Sequence, residues 1–76
     1  MKDPKIIIDS DVTQITSRYS KIKGISPNEA LALFLGSKTY KTLNNIDTGL
    51  CYEMTDYIYE MFLEETGDLN ELQTNN

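Results

Sequence analysis

Three places in the chain put reactive side chains close together. Glu53, Asp56, Glu60 and Glu64 recur at steps of three and four, Asp9 and Asp11 flank Ser10 in "DSD", and Cys51 is the single thiol. Neighbouring carboxylates can share a proton or hold a divalent cation, and a thiolate can attack a carbonyl carbon. Each chemistry needs a companion that is missing here. The sequence contains no histidine, so Cys51 lacks an imidazole to activate it, and Ser-His-Asp hydrolysis and a Cys/His zinc site are excluded as well. "DSD" lacks the glycine and distal glutamate of a calcium loop and reads as a pair of solvated helix residues. No enzymatic activity, metal or cofactor is expected.

The acidic row makes better sense as a surface. At 100° per residue Glu53, Asp56, Glu60 and Glu64 line one side of a helix, with Tyr57 on one flank and Tyr59 and Leu63 on the other. Met54, Ile58, Met61 and Phe62 gather opposite them as the expected core face. Like charges one turn apart cost a few tenths of a kcal/mol per pair, and no basic residue on this segment offsets them. Charge is just as lopsided over the whole chain. Residues 1–43 carry seven bases against four acids, a balance of +3, whereas residues 44–76 carry eight acids and no base. The pattern predicts a partner-binding face made of Glu53, Asp56, Tyr57, Tyr59, Glu60, Leu63 and Glu64, docking onto a basic protein. A homodimer in which the basic half of one copy meets the acidic half of another is the close variant, with Ile6 and Ile7 at its seam.

The elements that must position this face are helical. Asp3-Pro4 can cap and open a helix. Ile8, Val12, Ile15, Tyr19 and Ile22 then recur at steps of four and three, an amphipathic stripe that ends at "KIKGIS" with a left-handed Gly24 and Ile25 folding back. Ile6 and Ile7 lie off the stripe, which leaves open a later start capped by Ser10 or Asp11. "SPNE" at 26–29 is a helix-start signature. The "ALALFLG" that follows is apolar on every side and is expected to be the central, most buried element. Ser37 can cap a short third helix through "KTYKTL", "NNIDTG" turns the chain with Gly49 at positive φ, and Thr55-Asp56 opens the last helix, which Gly67 stops. The fold class predicted is all-α, a compact domain of three to four helices over 1–66, with a minor strand at 50–52 allowed and 67–76 a flexible tail.

Two motifs within this frame invite other readings. "DTG" at Asp47–Gly49 matches the tripeptide of aspartic proteases, but those enzymes set it in an all-β barrel, and a turn accounts for it here. "SPNEALALFLGSKTYKTL" resembles a helix-turn-helix that would read DNA through Lys38, Thr39 and Lys41, with Ala32 and Gly36 at its small-residue and turn positions. Thr42 stands where that second helix needs an apolar residue, and the overall charge of −5 opposes phosphate binding. The regulator is therefore the alternative to the docking module. The segment "SKTYKTLNNIDTGLCYEMTDYIYEMF" also resembles a family of very small uncharacterised bacterial proteins. The resemblance spans about residues 10–65; it implies a helical domain with no assigned activity or active site, in toxin–antitoxin-like or mobile-element operons.

With 76 residues the chain is one domain near the lower limit for independent folding, and one cysteine cannot staple it. No apolar run reaches the length that spans a bilayer or serves an export signal, so a cytoplasmic location is expected.

Overall fold

The computed structural model describes residues 3–70. Four α-helices follow one another: α1 (Pro4–Lys23), α2 (Pro27–Leu35), α3 (Lys38–Asn44) and α4 (Thr55–Thr66). Two 3-10 turns, Ile46–Thr48 and Leu50–Tyr52, fill the link between α3 and α4. No strand occurs among the described residues, and no helix there is long and apolar enough to cross a membrane. The strand allowed at 50–52 is the second of these turns. Left-handed Gly49 (φ 74°) redirects the chain, and the amides of Tyr52 and Glu53 bond back to the carbonyls of Gly49 and Leu50.

Local capping explains where the helices begin and end. Asp3 accepts from the Lys5 amide and Pro4 occupies the first turn, so α1 starts there and not at Ser10. Ser26 accepts from the Glu29 amide, and Ser37 accepts from the Tyr40 amide. At the end of α1, Gly24 (φ 66°) is left-handed, the Ile25 amide returns to Ser20 O, and the Ser20 hydroxyl donates to Ile25 O.

α1 packs against α2, α4 and the second 3-10 turn, while α3 packs on α4. The stripe of α1 faces inward as its spacing predicts, with Ile8, Ile15 and Tyr19 buried and Val12 and Ile22 packed at the edge. Three rings meet at the centre. Phe62 lies edge-on to Tyr19 (centroids 4.8 Å) and to Phe34 (4.9 Å), joining α1, α2 and α4 in one aromatic cluster. Such edge contacts add about 0.5–1.5 kcal/mol each beyond the area they bury.

α2 departs from expectation. Only Ala30 and Phe34 are buried in it, and Leu33 (50% exposed) and Leu35 (44%) face outward. A helix of nine residues presents one side to a core this small, packing mainly on α1 and α3 and touching α4 through Phe34. Its apolar composition therefore does not make it central.

The chain beyond α4 is tied down for as far as it is described. Asp68 accepts from the Tyr19 hydroxyl (2.6 Å) and from Lys23 Nζ (2.9 Å), and Leu69 packs against the core. The tail expected to be flexible from residue 67 is thus held at 68–69, and residues 71–76 lie outside the described residues.

Candidate functional site

The acidic helix is present, but its buried side is turned by roughly a quarter of a rotation from the expected one. Ile58, Tyr59, Phe62 and Leu63 form the buried face of α4, Met61 is half-buried, and Met54 is 74% exposed. Met54 is the residue before the helix, with an extended backbone (ψ 143°), and so has no place on the wheel, while the packing of Tyr59 and Leu63 turns the rest of the face. Two residues expected in the docking face are consequently removed from it. Tyr59 is 2% exposed and Leu63 fully buried, so neither offers a partner any surface. Glu53 also precedes the helix and continues no stripe. What remains on the outer face of α4 is Asp56, Tyr57, Glu60 and Glu64, all exposed, with Glu53 on the turn before.

Part of this acid is answered by the chain's own basic half. Arg18 Nη1 reaches Asp56 Oδ1 at 2.7 Å, and the Arg18 guanidinium carbon lies 4.3 Å from the centre of the Tyr59 ring. The pair is well exposed and adds little by itself. The cation over the ring explains how Tyr59 closes the core edge beside a charge. Glu60 and Glu64 form no ion pair among the described residues. Together with Tyr57, Met61 and Leu69 they line a shallow open trough of about 270 Å³.

The residues of the DNA-reading alternative are arranged against it. Thr39 is buried, and its amide and hydroxyl both donate to Glu65 Oε1, at 2.8 and 2.7 Å. The Lys38 amide donates to Glu65 Oε2 at 2.8 Å. A carboxylate from α4 thus occupies the N-terminus of α3, the end that would have to face a phosphate. Lys38 and Lys41 are exposed, but Thr39 has no edge to offer a base.

Three carboxylates that carry much of the polar structure were not identified from the sequence. Glu65 caps α3, and although burial would raise its pKa, the Lys38 amide and the Thr39 hydroxyl and amide hold it below the usual value. Asp68 is likewise pushed up by burial but pulled further down by Tyr19, Lys23 and Thr66, to about 2. Asp11, read as solvated, is 4% exposed, and burial raises its pKa against the opposing bond from Thr55. Its position between Ile8 and Ile15 on the α1 stripe was the available signal. Apart from Thr66, the partners of Glu65 and Asp68 lie 26 to 49 residues away, and no local pattern announces them. "DSD" therefore splits, with Asp9 exposed and Asp11 buried. Asp47 is exposed on the first 3-10 turn, as the turn reading of "DTG" requires.

Comparison of the chain with protein families, curated proteins and solved structures finds no match.

Proposed function

We propose that this protein is a non-catalytic interaction module that docks a basic protein through the outer face of α4. The observation that supports it best is the exposed row of Asp56, Glu60 and Glu64 beside Tyr57, in which Glu60 and Glu64 have no cationic partner among the described residues. Such a row costs helix stability, and one lysine in it would remove the cost. A basic surface would remove it too. Tyr57, half exposed, supplies apolar area with few rotors to freeze, and Met61 and Leu69 extend that area along the trough. The charges would set encounter rate and partner choice, while Tyr57 burial would set lifetime. A homodimer joining basic to acidic halves is the weaker form of this reading. Arg18 and Lys23 are already engaged by Asp56 and Asp68 of their own chain.

The test is capture from nuclease-treated extract, followed by calorimetry with the purified candidate. A double variant with Glu60 and Glu64 changed to Gln should bind at least about tenfold more weakly and lose most of its salt dependence. Tyr57→Ala should chiefly speed dissociation. Equal affinity of the double variant and the wild type would leave α4 a solvated surface and end this reading.

A further inference from the structure

A second concave surface lies away from the α4 trough. It runs between the first half of α1 and the segment leading into α4, encloses about 790 Å³, and is lined by Ile6, Asp11, Cys51, Tyr52, Met54 and Thr55 among others. Two properties mark it. Its exposed walls are apolar: Met54 is 74%, Ile6 64% and Tyr52 62% exposed. These are among the largest apolar exposures in the molecule, and they fall on one groove. Among the described residues its charges are of one sign, because Asp3, Asp11 and Glu53 line it and no base there does.

Asp11 gives the groove chemistry. Its Oδ1 accepts from the Thr55 hydroxyl at 2.7 Å, whereas its Oδ2 is buried and has no hydrogen-bond partner among the described residues. A buried acceptor left without a partner carries its full desolvation penalty, and more so when it is charged. A hydrophobic residue at this stripe position would have packed without that cost. The carboxylate thus keeps one unpaired acceptor among the residues that line a groove of exposed apolar side chains.

From the orphaned oxygen and the single-signed apolar walls we infer that this groove binds an apolar segment of a partner protein carrying a lysine or arginine that reaches Asp11. The shape selects a segment over a small amine. Along α1 the lining runs from Asp3 to Gln14, about 16 Å. Ile6, Tyr52 and Met54 stand open along it, whereas small-ligand sites enclose most of their ligand. Apolar contact would supply affinity, and the cation would set register by completing Asp11. This inference does not rest on the α4 reading, since none of Asp56, Tyr57, Glu60 and Glu64 lines the groove.

The test titrates the whole chain, followed by amide-resolved NMR, with helical peptides of about 11 residues, the length of the groove. Each has one leucine face and a single lysine placed in turn at each central position, and is otherwise uncharged. We expect shifts confined to the first half of α1 and to residues 50–55. Binding should weaken by about tenfold or more, the loss of one charge-assisted hydrogen bond, when the lysine becomes norleucine or in Asp11→Asn. The double variant Ile6→Ser with Met54→Ser alters only exposed side chains and so keeps the fold; it should lose binding to a similar extent. Shifts on Tyr57, Glu60 and Glu64 in place of the groove would overturn the inference while favouring the α4 face. Undiminished binding to the double variant, no binding by any peptide, or equal occupancy by butylammonium alone would overturn it outright.

Discussion

Glu65 and Asp68 sit three residues apart at the end of α4 and do different work. Glu65 acts as a side-chain cap delivered from another helix, taking two backbone amides and a hydroxyl at the start of α3. Ser37 also caps α3, but it reaches a different amide, that of Tyr40, and so does not substitute. Glu65→Ala should therefore lower stability by about 1–2 kcal/mol, as loss of a helix cap does, read as a lower urea midpoint at unchanged slope. Asp68 carries a pH signature. Its pKa falls from 3.8 to about 2 on folding, so its contribution is complete above about pH 4 and is lost as pH falls toward 2. The shift corresponds to about 2 kcal/mol. Asp68→Asn should be less stable than the wild type by that order at pH 6, and the two unfolding curves should converge near pH 2. Asp11 works in the opposite sense. Its folded pKa is raised, so it favours the native state at acid pH and penalises it once ionised, which blunts the acid limb that Asp68 creates.

At the scale of elements, helix positions were legible because they are written locally. Asp3-Pro4, Gly24, Ser26-Pro27 and Ser37 state their roles within a few residues, and each cap forms as its spacing predicts. Orientation was less legible. The face a helix buries depends on its neighbours, and for α4 those neighbours are Tyr19, Phe34 and Arg18. Their pull turned Tyr59 and Leu63 inward and so removed two residues from the expected docking face. The same reasoning failed for α2, whose apolar composition could not say how little core was available to cover it. The acidic row itself survived, because charge separates from a core whatever the neighbours are. The groove around Asp11 was invisible at this level, since Met54 and Thr55 meet α1 only in the folded chain.

The whole molecule depends on joining its first and last helices. Tyr19 meets Phe62 edge-on, its hydroxyl reaches Asp68, and Thr55 reaches Asp11, so α1 is closed by α4 along much of its length. A domain of this size has few kcal/mol in reserve. A fragment ending at residue 54 keeps α1, α2 and α3 but loses Phe62, Ile58 and Leu63 from the core; it should show little helical circular dichroism and no cooperative melting. The same closure sets a schedule for a nascent chain. Tyr19 emerges from the ribosome well ahead of Phe62, and at about 5–20 residues per second the gap lasts roughly 2–9 s. Throughout that interval Tyr19 lacks both Phe62 and Asp68, and the part of the α1 stripe that α4 will cover is open to whatever meets it first. The burial that stabilises the finished protein is therefore also a waiting time, during which its longest helix must be shielded or kept from collapse by the charges between its apolar residues.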